Sequence, residues 1–225
     1  MNPEIVFEDE DLFVLYKPAG MAVETRNSLE VDLVSFLRNL RSERNESTYV
    51  GIINRLDQPV EGIMLCAKTK KAAELLSREL VDHVVKKSYY AVIDRDNVPA
   101  SERLEDYLIK DTRNFKAKVV DSNNPRAKKA ILSYEVADIL DNMKLLDIEL
   151  FTGRFHQIRC QLAGRNMPIL GDRKYGGTNT GRSLALCAYK VKFLHPISKK
   201  EMEFEIHPHG EDFQEFSILR EKISN

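Results

Sequence analysis

Short apolar runs, each closed by a turn signal, set the strongest limit on what this chain can fold into. Asp11–Lys17 reads DLFVLYK and is closed by Pro18-Ala19-Gly20. Tyr49–Ile53 and Ile63–Ala67 flank a bend marked by Pro59 and Gly62, and Ser88–Ile93 is a further run rich in tyrosine and β-branched residues. Runs of this length and composition between Pro and Gly breakers form strands. The middle is richer still. Phe115–Val120, Ala130–Ala137 and Lys144–Phe151 alternate as antiparallel strands do, with Asp121-Ser122-Asn123-Asn124-Pro125 as a loop. Leu184–Phe193 and Met202–Ile206 complete the set, joined through His195-Pro196.

Helical periodicity is sparser. Ser28 is placed to cap a helix in which Leu29, Leu33, Leu37 and Leu40 recur on one face. Thr69 caps a second helix, with Ala72, Leu75, Leu76 and Leu80 along one side. Phe155–Ala163 is a short helix after Gly153, and a terminal helix from about Asp212 carries Phe213, Phe216 and Leu219. Helices interrupt the strands irregularly. That favours an α+β fold, a large mixed but mostly antiparallel central sheet flanked by helices and loops, over a doubly wound α/β fold.

The 225 residues are enough for one substantial core or two closely joined subdomains. With 43% hydrophobic and 31% charged residues the chain is globular rather than disordered. No apolar run approaches the roughly 18–20 residues of a membrane helix. Met1-Asn2-Pro3-Glu4 lacks the basic start and apolar stretch of a secretory leader, so a cytoplasmic location is expected. Cys66, Cys160 and Cys187 are too widely spaced for a disulfide framework or zinc site and suit buried, reduced thiols. The net charge of −1 hides a local excess. From Lys110 to Ala130 there are seven Lys/Arg against two Asp, or +5 over 21 residues. Such a stretch is either a solvated surface or a phosphate-binding one.

The common cofactor signals are missing: there is no Gly-x-x-x-x-Gly-Lys loop, Gly-x-Gly-x-x-Gly fingerprint or His-Glu-x-x-His helix. His207-Pro208-His209 is too isolated for a metal site. No metal and no cofactor are expected. What stands out is Asp57, a carboxylate ending a short apolar run beside Arg55, just before the Pro59/Gly62 bend. A carboxylate at a strand-to-loop junction can stabilise or covalently capture a cationic sugar during glycosidic cleavage. Glu61 is its rival in the same loop.

Five blocks carry a family resemblance, in order. Lys17-Pro18-Ala19-Gly20 is the first, Asn54-Arg55-Leu56-Asp57 with Gly62-Ile63-Met64-Leu65-Cys66-Ala67-Lys68-Thr69 the second, and Lys87-Ser88-Tyr89-Tyr90-Ala91 the third. Gly153-Arg154-Phe155-His156-Gln157-Ile158-Arg159, continued by Pro168-Ile169-Leu170-Gly171-Asp172 and Tyr175-Gly176, is the fourth. Leu184-Ala185-Leu186-Cys187-Ala188 through His195-Pro196 is the fifth. Together they resemble RluA-type RNA pseudouridine synthases.

The resemblance implies a pseudouridine-synthase-like catalytic domain that isomerises uridine in ribosomal or transfer RNA, with no cofactor. It implies Asp57 as nucleophile and Arg159 as the cation that keeps it ionised. Tyr89 would stack on the uracil, hydrogen-bond to it, or remove the C5 proton, while Tyr90 on the opposite face packs. Arg55 would hold RNA opened around a flipped nucleotide, and Leu186 would wall the flipped base or simply pack. His156 fits hydrogen bonding that orients loops better than proton transfer. Ile169 and Leu170 fit packing. The Lys110–Lys129 segment with Arg165, Arg173, Lys174 and Arg182 is expected to meet phosphates.

The chain departs from the pattern at Asn54, Cys187 and Gln161, where the family has histidines, and at Phe155, where it has threonine. Because Ile5–Asp11 already matches the family's opening, residues 1–225 are expected to be a single catalytic domain, with two subdomains around a central cleft as a variant, and without an N-terminal S4 RNA-binding module. A monomer is expected, since no helix shows an exposed apolar stripe. A non-catalytic RNA-binding or RNA-folding protein on the same scaffold is the alternative reading, and a glycosidic hydrolase using Asp57 and Glu61 is a third.

Overall fold

A computed structural model describes residues 2–25, 31–178, 181 and 183–223. The chain divides into two compact units, Met1–Lys86 with Ala188–Ile206, and Lys87–Cys187 with His207–Asn225.

In the first unit, β1 (Glu4–Glu8), β2 (Leu12–Lys17) and β4 (Glu61–Ala67) form an antiparallel ladder. The two-residue β3 (Gly51–Ile52) also pairs with β4. On the other side of β4 lies β10 (Leu186–Leu194), which pairs antiparallel with β11 (Glu201–Glu205). Alternate residues of β2, β4 and β10 (Leu12, Val14, Ile63, Leu65, Ala67, Val191, Phe193) form a core with Ala72 and Leu76 of α2 (Lys70–Val81). The intervening Phe13, Leu15, Met64 and Cys66 are fully buried as well. Burial on both faces is why β2 and β4 read as continuous apolar runs.

Thr69 caps α2 as expected, accepting the Ala72 N–H at 3.1 Å. The first helix differs. α1 spans Leu33–Glu43 and is capped by Asp32, whose two oxygens accept the Ser35 and Thr25 amides. The expected Ser28 cap and Leu29 lie outside the described residues, whereas Leu33 and Leu37 are buried as the periodicity requires.

The second unit holds β5 (Lys86–Asp94), β6 (Ser101–Asp111), β7 (Lys116–Val120), β8 (Lys128–Leu140) and β9 (Met143–Leu150) in the order β5-β9-β8-β6-β7. Each of these pairs is antiparallel. β6 was not legible: it carries charges at Glu102, Arg103, Glu105, Asp106 and Lys110, and only Leu104 and Leu108 are buried. Its place is fixed by β8 and β7 on either side.

α3 (Gln157–Ala163) starts two residues later than the periodicity suggests. His156 stands at its N-cap with φ of 50°, a left-handed conformation that starts no helix. The terminal segment is a 3-10 turn at Glu211–Phe213 followed by α4 (Ser217–Ile223). Phe213, Phe216 and Leu219 are all buried. Asp138 on β8 accepts the Ser217 hydroxyl and the Ile218 amide, fastening this segment to the sheet. The α+β expectation stands.

Candidate active site

Asp57 lies in the irregular segment between β3 and β4 and is half-buried. The segment is held from several sides. Asn54, buried, accepts the Leu65 amide at 2.7 Å and donates to the Ile63 carbonyl at 3.4 Å. Val60 N–H closes a turn onto the Asp57 carbonyl. The Gly20 amide donates to the Gln58 carbonyl at 2.8 Å, and the Gln58 amide returns a bond to Gly20. So the turn after β2 and the Asp57 loop fix one another.

At their junction sits Lys17, fully buried. Its ammonium donates to the carbonyls of Pro18 and Met21 at 2.9 Å each and of Gln58 at 3.2 Å. Burial pushes the Lys17 amine down to about 8, against the pull of the nearby Asp57 and Glu61 carboxylates. Glu61, the sequence rival of Asp57, is buried at the start of β4 and accepts the Tyr16 hydroxyl at 2.6 Å. That bond occupies it in the wall of the loop. Arg55 is exposed and pairs with Glu24 at 2.5 Å, where solvent leaves such a pair little energy. It can therefore exchange Glu24 for a phosphate at small cost.

Arg159, Tyr89 and Leu186 belong to the second unit. Arg159 is buried on α3 and forks onto Asp172, Nε to Oδ2 at 2.8 Å and Nη2 to Oδ1 at 2.9 Å. Asp172 Oδ1 also accepts the Lys174 and Tyr175 amides. The Tyr175 ring lies 5.2 Å from the guanidinium. Its hydroxyl receives the Ala117 amide at 2.6 Å and meets His156 Nδ1 at 3.0 Å, and burial raises this phenol to about 12. His156 also stacks on Phe155, with centroids 3.8 Å apart. These contacts give His156 the loop-orienting geometry expected of it.

Gln157 fastens the same turn to β8, through Thr152, the Arg154 amide and the Ile131 carbonyl. Tyr89 is buried on β5 opposite Ile148, next to the equally buried Tyr90. Leu186 is buried at the start of β10.

Lys17, Asp172 and Tyr175 were quoted within motif blocks but given no role. The signals were there: a lysine before Pro-x-Gly, and an Asp with a following Tyr in the block that ends the Arg159 motif. Of the cations expected to meet phosphates, Arg165 is committed to Asp106 at 2.9 Å, Lys129 to Glu105 and Lys118 to Asp111. Arg182 lies outside the described residues.

All three cysteines are buried and none is in a disulfide, with the Cys66 thiol pushed up to about 12 by burial. Asp9, Asp11 and His195 bring ligand-type atoms within 4.8 Å of one another. However, His195 Nδ1 accepts the Ile197 and Ser198 amides, so a neutral ring carries its proton on Nε2 and donates it to Asp9 at 2.8 Å. That hydrogen bond explains the group without an ion.

The fold is that of pseudouridine synthases. The human RNA pseudouridylate synthase domain containing 4 superposes with a TM-score of 0.76 at 20% identity, covering 92% of this chain and 89% of that one. Its human domain-containing 1 counterpart gives 0.73 at 19% identity, covering 91% and 83%. The sequence pattern described as RNA pseudouridylate synthase matches residues 11–164. The ribosomal large subunit pseudouridine synthase D of Zymomonas mobilis is 31% identical over 217 residues, covering 90% of this chain and 68% of the relative. The synthase D of Neisseria meningitidis serogroup B is 30% identical over 235 residues, covering 98% and 62%. The chain thus spans about two thirds of the length of these curated relatives. It belongs to the RNA pseudouridylate synthase family, whose members isomerise uridine in RNA.

Proposed function

We propose that this chain converts uridine to pseudouridine in ribosomal RNA, with Asp57 as nucleophile. The Asp57 carboxylate engages C1′ as the N1–C1′ bond breaks, the uracil departing with the electron pair. The base turns and C5 attacks C1′, breaking the bond to the Asp57 carboxylate, which is released unchanged. The C5 proton leaves and N1 takes one up, so nothing is oxidised or lost. In this reading Arg159 is the cation that keeps Asp57 ionised. Its two-point fork onto Asp172 through Nε and Nη2 holds the guanidinium in a fixed plane. Tyr89 contacts the base, Leu186 walls it, and Arg55 holds the RNA around the flipped nucleotide.

The observation that carries this reading is the Asp57 loop, fixed by Lys17, Asn54 and Gly20 within the stretch that matches the family. The names of the relatives make large-subunit ribosomal RNA the first substrate to test, with transfer RNA second. Among the described residues no helix is long and apolar enough to cross a membrane. We place the chain in the cytoplasm, acting as a monomer without metal, and take residues 1–225 as one catalytic domain.

The test is tritium release from C5-labelled uridine in ribosomal RNA. Wild type should release it, and Asp57→Asn should lower the rate at least about 10³-fold, as for loss of other catalytic nucleophiles. Undiminished release by Asp57→Asn would remove the nucleophile assignment. No pseudouridine formed in ribosomal or transfer RNA would remove the activity.

A further inference from the structure

The β6–β7 hairpin ends in a feature that the isomerisation chemistry does not use. Phe115, at its tip, is 62% exposed. Two aromatics beside the hairpin behave differently, since Phe155 and Tyr175 pack against Leu108, Ala117, Ala130 and Cys160. Phe115 also holds φ of 49°, a left-handed conformation unusual for an aromatic residue. The tip is locked in this form. Asp111 Oδ1 accepts the Arg113 and Asn114 amides at 3.1 and 3.2 Å, Asp111 Oδ2 takes the Asn114 side chain, and Lys174 donates to the Phe115 carbonyl at 3.3 Å. The ring is thus presented to solvent by a preorganised turn.

Its surroundings are basic. Lys110, Arg113, Lys116 and Lys118 lie within the hairpin, and Asp111 is its sole carboxylate from 110 to 118. That carboxylate is already engaged by Lys118 and by the turn. Lys110 lies 4.4 Å from the Phe155 ring and Lys116 5.8 Å from the Tyr175 ring, so two cations stand against aromatic faces rather than acids. A rigid exposed ring amid cations suits a polyanion with stackable faces. Phosphates meet the lysines and an unpaired base stacks on the ring. A protein partner would match the apolar ring but not the flanking charge.

We propose that Phe115 is a stacking platform for an unpaired nucleotide of the RNA, with Arg113 and Lys116 on the adjoining phosphates. This rests on the RNA reading above and adds how the strand is gripped. It also gives this unit a means of its own to prefer single-stranded loops over paired stems.

The chain contains no tryptophan, so Phe115→Trp introduces a single indole whose fluorescence reports on its own stacking. Titration with a twelve-nucleotide oligouridylate should quench it, while a fully paired RNA duplex of that length should not. Phe115→Ala should weaken oligouridylate binding about tenfold or more, the size of one base–aromatic stack, and Phe115→Tyr should restore it. Thermal melting of each variant shows that it is folded. Binding without quenching, equal quenching by the duplex, or wild-type affinity in Phe115→Ala would each overturn the platform. Tritium release is measured in parallel. Quenching without isomerisation would keep the platform and remove the enzyme reading, whereas isomerisation without quenching would do the reverse.

Discussion

Arg159 and Asp172 form a two-point ion pair, buried on both sides, between α3 and the loop thirteen residues further on. Such a pair fixes the plane of the guanidinium and leaves no rotational freedom to lose when charge must be presented elsewhere. Asp172→Asn should remove the buried charge on which this fork is built. The expected cost is about 3–5 kcal/mol of stability, read by chemical denaturation. The folded fraction should also show at least a tenfold lower kcat for pseudouridine formation. An Asp172→Asn enzyme of wild-type kcat would show that Arg159 needs no such support.

Lys17 couples stability and activity to pH in opposite directions. Its pKa lies at about 8 in the folded chain against an ordinary 10.5, because burial disfavours the ammonium. Between those values the unfolded chain binds more protons than the folded one. Stability from this site therefore rises with pH across that window, by up to about 3 kcal/mol. Activity should fall over the lower part of the same window. The neutral amine has one donor fewer for the three carbonyls and no charge near Asp57. In Lys17→Met the pH-dependent stability gain should vanish and kcat should be low and flat. A retained fall above pH 8 in that variant would assign it to another group.

Asn54 stands where the family pattern has a histidine, and the two side chains differ in donors. The amide accepts the Leu65 N–H and donates to the Ile63 carbonyl, bridging the backbone of β4 across the loop. Asn54→Ala leaves a buried amide unsatisfied at a cost of about 1–3 kcal/mol. Asn54→His can replace one of the two bonds and should fall between wild type and alanine, as measured by melting temperature.

Gly62→Ala should be the most damaging small change near the site. Gly62 has φ of +127°, and a Cβ there would lie 2.4 Å from the Ala188 carbonyl oxygen, backbone that cannot swing away. The variant should lose about 3 kcal/mol or more, the combined cost of strain and overpacking. Comparable melting of Gly62→Ala and wild type would mean that β4 and β10 can separate here.

The buried strands β2 and β4, the Thr69 cap and the Asp57 loop were all legible, since apolar runs and turn residues act locally. β6 was not. Its charges obscure both faces, and it is a strand because β7 and β8 offer their hydrogen bonds. The same holds at the site. Asp57 announces itself by its place between an apolar run and the Pro59/Gly62 bend, but a lysine beside a proline gives no sign that three carbonyls will collect its charge. Asp172 likewise reads as a turn residue until Arg159 is placed against it.

By itself, then, the sequence determined the α+β class and the family blocks, and it singled out the carboxylate proposed as nucleophile. These rest on periodicity and on residue types within a few positions of each other. Only the tertiary structure decided what surrounds that chemistry: Lys17 on the Gln58 carbonyl, Glu61 taken by Tyr16, Asp172 holding Arg159 and Phe115 left facing solvent. Each depends on partners far apart in the chain or on burial, and both are set by packing rather than local pattern.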